Sequence, residues 1–233
     1  MATTDAVLWC VVPAAGRGVR VGREVPKQYL PIAGKPMLLH TLERLGAHPR
    51  IAGLMVVLAD GDAHWPRIEQ CAGKPLATTI GGAERSDSVL AGLIALRDRV
   101  ADDEFVLVHD AARPCVRVED ISRLLDTGIP ANGALLAVPL RDTLKCADEH
   151  NRVAATEPRQ ARWRALTPQL FRYGELVAAL QSARGAGVDV TDEAMAMERM
   201  GHRPLLIEGA ESNIKVTAPT DFALAEYLLA RTA

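Results

Sequence analysis

Short apolar runs alternate along this chain with stretches whose apolar positions recur at helical spacing, the mark of strands followed by helices. Ala6–Val12 reads as a buried strand, and Ile51–Leu58, Leu76–Ile80, Phe105–His109, Ala134–Val138 and Pro204–Ile207 read likewise. Between them, Pro36–Leu45 predicts a helix with Met37, Leu38, Thr41 and Leu45 on one face. Gly81-Gly82 breaks the chain before a second helix, in which Val89, Leu93 and Leu96 follow the i, i+4, i+7 pattern. Further helices are predicted at Val118–Thr127, near Phe171–Gln181, at Asp192–Met200 and at Thr220–Ala230. The order implies an α/β fold: a doubly wound, mostly parallel sheet with helices on both faces.

One stretch breaks the rhythm. From Arg141 to Ala165, ten of 25 residues are charged, well above the 24% of the whole chain. Compact domains rarely hold a structureless loop of that length. Asp148–Asn151 has the composition of a turn between two short strands. The segment therefore reads as an excursion hairpin, an arm at about residues 140–165 on a single domain spanning 1–233. A two-stranded hairpin is marginal in water by itself, so the arm calls for a partner.

Composition narrows the function. With 48% hydrophobic residues the chain has material for a real core, while 4% aromatics is poor for stacking single-stranded nucleic acid. Lys and Arg number 27 against 29 Asp and Glu, a net charge of −2. No global field holds a polyanion, so a nucleic-acid partner is not expected and any phosphate site is local. Cys10, Cys71, Cys115 and Cys146 are scattered, without a C-x-x-C pair, and read as thiols in a reducing compartment. Met1–Asp5 lacks the features of a signal peptide, and no apolar run reaches the roughly 18 residues of a membrane span. A soluble, cytoplasmic protein is expected, with no membrane partner.

The candidate chemistry lies where predicted strands end. Val11-Val12-Pro13-Ala14-Ala15-Gly16-Arg17-Gly18-Val19-Arg20 follows the first strand. Ala14, Ala15, Gly16 and Gly18 let backbone N–H groups approach a phosphate, and Arg17, Arg20 and Lys27 add positive charge, a pattern suited to a triphosphate. The third glycine of a dinucleotide fingerprint would fall at Val21, which excludes that motif. Gly34-Lys35 and Gly73-Lys74 are each followed by proline rather than by the Ser or Thr of a Walker loop. In Gly81–Ser88, either Ser86, Asp87 or Ser88 caps the helix, or the Gly82 backbone and the Ser88 hydroxyl face a base or phosphate. Asp110, after the fourth strand, suits a Mg2+ shared with phosphates, or else a salt bridge to Arg113. His109 reads as a packed histidine, since no second His or Cys sits at metal spacing. Thr167-Pro168-Gln169, Thr191–Ala194 and Asn213–Thr217 are polar where the pattern asks for nothing special; Thr191 is a candidate helix cap. Lys215 is either a snorkelling surface lysine or a phosphate ligand.

Taken in order, PAAGRGVR (Pro13–Arg20), PKQYLPI (Pro26–Ile32), GGAERSDSVLAGL (Gly81–Leu93) and VHDAARP (Val108–Pro114) resemble one family. RDTLK (Arg141–Lys145), ALTPQLF (Ala165–Phe171), TDEAMAME (Thr191–Glu198) and NIKVT (Asn213–Thr217) extend the likeness over essentially the whole chain. The family is that of the 2-C-methyl-D-erythritol 4-phosphate cytidylyltransferases of the non-mevalonate isoprenoid pathway. The resemblance implies a Rossmann-like nucleotidyltransferase sheet, a homodimer with interlocking arms, and Mg2+-assisted in-line attack of the substrate phosphate on the α-phosphorus of CTP. By the same resemblance Arg20 and Lys27 stabilise the charged phosphorus. Ala14, Ala15, Gly16, Gly18, Gly82 and Ser88 match the CTP pocket, with Asp110 and Ala111 beside ribose and metal. Arg159 and Lys215 match the grip on methylerythritol phosphate, and Arg113, Thr143, Thr167 and Thr191 its polar surroundings. Thr143 and Arg159 lie on the arm, so the family would have them serve the neighbouring subunit.

Two positions depart from the pattern. Ala83 stands where relatives often carry a polar or charged side chain, leaving only backbone for contact, and Arg17 sets a bulky charge beside the cradle. The alternatives are a cytidylyltransferase for another polyol phosphate, such as ribitol 5-phosphate, or a catalytically silent nucleotide-binding protein. The chemistry fits the leading reading in its own right. Joining two anionic phosphates needs fixed positive charge where charge develops, while an attacking phosphate needs no general base.

Overall fold

The computed structural model describes residues 7–16 and 25–231. Strand β1 (Leu8–Pro13) is followed by a small ribbon of β2 (Pro31–Ile32) and β3 (Lys35–Pro36), then helix α1 (Met37–Gly46). Next come β4 (Ile51–Leu58), β5 (Gln70–Cys71), β6 (Lys74–Ile80), α2 (Arg85–Ala95), β7 (Phe105–Val108), α3 (Val118–Gly128) and β8 (Ala134–Pro139). The hairpin of β9 (Leu144–Ala147) and β10 (Val153–Glu157) leads into β11 (Trp163–Arg172). Helices α4 (Tyr173–Gly185) and α5 (Glu193–Arg199), strand β12 (Leu205–Glu208) and helix α6 (Pro219–Arg231) complete the chain. The main sheet has the order β12-β8-β11-β7-β1-β4-β6-β5. Parallel pairing joins β7 to β1, β1 to β4, β4 to β6 and β8 to β12.

Strand β11 was not among the expected elements. It inserts between β7 and β8, antiparallel to both. The expected helix near Phe171 accordingly begins later, at Tyr173, because Phe171 and Arg172 still belong to the sheet. Its sequence hides it: Arg164 and Gln169 interrupt the apolar run, and Pro168 argues against a central strand. The structure accommodates that proline at a register shift between Ala165 and Gln169, where the Thr167–Pro168 bond is cis. A bulge is where a sheet tolerates proline.

Alternation along the strands feeds two cores. Leu8, Cys10 and Val12 of β1, Leu54 and Val56 of β4, and Leu136 and Val138 of β8 face α1 and α3, meeting Leu38, Leu42, Ile121 and Leu124. On the opposite face Val11, Met55, Val57, Val106 and Leu135 meet Val89 and Leu93 of α2, Leu176 of α4 and Met197 of α5. Each fully buried aliphatic side chain contributes about 1.5–3 kcal/mol. Gly92 lets α2 lie close on this face, since a Cβ there would sit 2.6 Å from Val11 and 2.7 Å from Val57. Helix α6 packs on Ile32, Met37, Ala112 and Val216, pinning the segment that carries Lys215.

The two Gly-Lys-Pro sequences are tight turns. Ala33-Gly34 joins β2 to β3 and Ala72-Gly73 joins β5 to β6, all four residues at positive φ (48°, 78°, 49° and 74°). Two-residue hairpin loops demand that conformation.

The expected arm hairpin is present, with β9 and β10 forming a sheet of their own. Its turn is built on Asp148, whose Oδ1 accepts from the N–H groups of His150 and Arg152, each at 2.9 Å. Most arm residues are exposed. At the root, Leu140 N–H donates to Arg162 O at 2.9 Å, and Arg164 and Arg141 pair with Glu211.

Candidate active site

A cavity of about 700 Å3 opens beyond the carboxyl ends of β1, β6 and β7, where open α/β sheets bind ligands. Pro13–Gly16 form one wall, and Gly82–Arg85 with Ser88 of α2 form another. Lys27, Gln28, Asp110–Ala112, Lys215 and Thr217 complete the lining. One backbone and one side-chain bond hold the cradle in shape: Ala14 N–H donates to Val57 O at 2.8 Å, and Gln28 Nε2 donates to Ala14 O at 2.7 Å. Gly81 lets the two walls meet, since a Cβ there would lie 2.6 Å from Ser88 Oγ and 2.8 Å from Ala15 Cβ. Across the cavity Lys27 Nζ donates to Val216 O at 2.8 Å.

Asp110 is the electrostatic centre. Its buried carboxylate meets Arg85 Nε at 2.9 Å, Lys215 Nζ at 2.9 Å and Arg113 Nε at 3.5 Å. Burial by itself would raise its pKa, but Arg85, Lys215 and Arg113 outweigh that and hold it well below the usual carboxylate range. Asp110 therefore stays ionised, with Arg85 and Lys215 on the cavity wall and Arg113 buried behind it. Arg85 in turn grips the fully buried Glu193 through Nη1 and Nη2, at 2.6 and 3.1 Å.

Behind Asp110 lies a fixed relay of hydrogen bonds. The Asp110 N–H donates to Thr167 Oγ1 at 3.0 Å, and that hydroxyl lies 3.0 Å from His109 Nδ1. His109 Nε2 is 3.1 Å from the Arg113 carbonyl, which can only accept. The proton thus sits on Nε2, and Nδ1 accepts from Thr167. Burial pushes His109 down to about 4, so the ring is neutral. His109 is the packed histidine that the sequence implied.

The family model for 2-C-methyl-D-erythritol 4-phosphate cytidylyltransferase, IspD, matches residues 8–231. This chain belongs to that family. It is 57% identical over 230 residues to the enzyme of that name from Stenotrophomonas maltophilia (strain K279a), covering 98% of this chain and 99% of the relative. Against the one from Xylella fastidiosa (strain 9a5c), identity is 56% over 225 residues, covering 96% and 97%. Among solved structures, a 4-diphosphocytidyl-2C-methyl-D-erythritol synthase superposes with a TM-score of 0.83 at 35% identity, covering 96% of this chain and 99% of that one. The cytidylyltransferase from Thermus thermophilus gives 0.77 at 32% identity, covering 97% and 99%. The fold is thus that of the IspD cytidylyltransferases, a mostly parallel sheet in which β11 and the short edge strand β5 run antiparallel to their neighbours.

Of the positions singled out from sequence, this cytidylyltransferase brings Ala14, Ala15, Gly16, Lys27, Gly82, Ser88, Asp110, Ala111 and Lys215 around one cavity. Ala83 lines it as well. Arg113 and Thr167 are buried just behind, on Asp110. Gly18 and Arg20, with Arg17, lie outside the described residues. Thr143 and Arg159 sit on the exposed arm and do not line this chain's cavity, with Arg159 donating to the Arg141 carbonyl. Thr191 is exposed and does not cap α5; Asp192 does, its Oδ1 accepting from Met195 N–H at 2.9 Å, because the helix begins one residue later than a Thr191 cap requires. At α2 the cap position is Glu84, and Asp87 reaches back to its N–H at 3.4 Å. Ser88 instead faces the cavity and donates to Glu84 O at 3.1 Å.

Arg85, Glu193 and Gln28 were not singled out. All three lie inside the quoted motifs, and the available signal was a charge beside a glycine turn (Arg85) and an acid next to a capping position (Glu193). Neither position declares a partner, because the two are 108 residues apart.

Among the described residues no group of three or more His, Cys, Asp or Glu side chains could cage a metal. Mg2+ is commonly held by one or two carboxylates with substrate phosphates supplying the rest. A single ionised Asp110 on the cavity wall fits that mode.

Proposed function

We propose that this cytidylyltransferase transfers CMP from CTP to 2-C-methyl-D-erythritol 4-phosphate, giving 4-diphosphocytidyl-2-C-methyl-D-erythritol and pyrophosphate. The observation that carries this reading is a small-residue cradle facing Lys27, Arg85 and Lys215 in one cavity. An oxygen of the acceptor phosphate attacks the α-phosphorus of CTP, the new P–O bond forms in line, and the bond to the β-phosphate breaks as pyrophosphate leaves. Lys27, and by resemblance Arg20, face the charge that develops on the α-phosphate. The acceptor phosphate is already an anion, so no side chain has to remove a proton. Lys215, now paired with Asp110, turns to the acceptor phosphate; Arg113 and Thr167 fix the floor beneath it. Asp110 would hold Mg2+ together with the CTP phosphates, and the bound ion would neutralise phosphate charge.

The arm is read as the means of homodimerisation. Its exposure, and the absence of Thr143 and Arg159 from the lining of their own cavity, support a role in which these residues of each chain reach the other chain's site. Four free cysteines and the use of CTP, an intracellular nucleotide, support a cytoplasmic setting for the reaction.

The test is pyrophosphate release from CTP and Mg2+ with methylerythritol phosphate or ribitol 5-phosphate as acceptor. Release with the first alone is expected. Release with ribitol 5-phosphate alone would overturn the acceptor, and release with neither would favour a silent nucleotide binder.

A further inference from the structure

We propose that Arg85, held by Glu193, is a positioning residue that orients Asp110 and, through it, Lys215. The proposal rests on the cytidylyl-transfer reading above and deepens it. All three nitrogens of the Arg85 guanidinium are engaged. Nη1 and Nη2 take the two oxygens of Glu193 at 2.6 and 3.1 Å, and Nε takes Asp110 Oδ1 at 2.9 Å. A two-pronged contact fixes the plane of the group as well as its place. With Oδ1 so fixed, Asp110 turns Oδ2 to Lys215 Nζ at 2.9 Å.

Glu193 makes sense only through Arg85. Its side chain is 1% exposed, it does not line the cavity, and Arg85 is its one ion-pair partner among the described residues. A buried carboxylate with a single cation is costly to keep in a fold, so its retention asks for a task. The base beneath it is rigid. Gln169 Oε1 accepts from Ala194 N–H at 2.8 Å, and Gln169 Nε2 donates to Asp192 at 3.0 Å, which ties α5 to β11. The far end of Arg85 is thus anchored to the sheet, while its near end faces the cavity.

The arrangement separates two jobs at Asp110. Lys215 has a side chain 42% exposed and is free to turn to an arriving phosphate. Arg85 is not, because Glu193 holds it. When Lys215 leaves, Asp110 stays in place. Without the fork only Arg113, 3.5 Å from Oδ2, still holds the carboxylate, which then competes with the acceptor phosphate for the ammonium.

The experiment compares wild type, Glu193→Gln, Arg85→Lys and the double variant, measuring kcat, KM for CTP and methylerythritol phosphate, and thermal midpoint. Glu193→Gln keeps the shape and removes the charge; Arg85→Lys keeps the charge and removes the fork. The expected result is a rise in KM for methylerythritol phosphate of about tenfold or more in each single variant, with kcat also lowered. The double variant should be no worse than Arg85→Lys, because both changes cut one chain of contacts. A purely structural role lowers the active fraction, so kcat would fall with both KM values unchanged, and that pattern overturns the proposal. Wild-type kinetics in Glu193→Gln would also overturn it. If Glu193→Gln does not fold, Arg85→Lys decides by the same KM criterion. A wild-type chain that releases no pyrophosphate overturns the reaction, and the proposal with it.

Discussion

Asp110 and Asp148 each follow a strand closely, yet the chain uses them in opposite ways. Asp110 is buried among Arg85, Arg113 and Lys215. Asp148 sits in solvent and shapes a turn by accepting two backbone N–H groups. The same contrast separates the cavity floor from the arm. Asp110 and Arg113 on the floor are buried, so losing one strands the other at high cost. On the arm, Arg162 and Glu157 lie 3.7 Å apart with both side chains exposed, where water and salt screen them. Charge on the floor sits in a low-dielectric setting; charge on the arm is screened by solvent.

The sharpest way to break this contrast is Lys27→Ala. The loss expected is at least about 10²–10³ in kcat, the usual cost of one donor facing a charged transition state, with little change in thermal midpoint. Near-normal turnover would remove Lys27 from the chemistry. Next comes Asp110→Asn, which should destabilise the fold by about 3 kcal/mol in urea titrations, because the buried Arg113 loses its carboxylate while Arg85 keeps only Glu193. Asp148→Asn on the arm should cost far less, and equal losses would erase the distinction.

Acid sharpens the comparison further. An unfolded His109 titrates near 6.5, whereas burial pushes the folded residue down to about 4. Between those values the unfolded chain binds the extra proton, so stability falls as pH drops through that window and levels off below it. From pH 7 to pH 5 the loss from His109 should be about 2 kcal/mol. His109→Gln has an acceptor for Thr167 and a donor for the Arg113 carbonyl, and should flatten that part of the profile. The smallest effect is expected for Arg162→Ala, within about 0.5 kcal/mol of wild type. A larger drop, scaling with protein concentration, would show that the arm is paired in solution.

Much of the fold was legible because periodicity reports burial directly. Ile51–Leu58 is a strand over the expected range, and Val118 begins a helix as its spacing implied. The arm and its turn followed from charge density and from Asp148–Asn151. Strand β11 was missed because its burial comes from neighbours on both sides, while Arg164, Pro168 and Gln169 disguise it locally. Thr191 looked like the cap of α5, but helix register gave that place to Asp192.

The sequence alone determined most of the strands and helices, β11 excepted, where small residues leave backbone open beside β1, and that cations gather there. Those properties are local, set by spacing and by side-chain size. Only the tertiary structure decided which charges meet. Arg85 and Glu193 are 108 positions apart, and Arg85 and Asp110 are 25 apart. They pair because α5 packs on the same sheet face as α2, and because β11 enters between β7 and β8 and brings Thr167 against Asp110. An ion pair is a distance in space, and no pattern along one chain encodes that distance until the sheet has set its strand order.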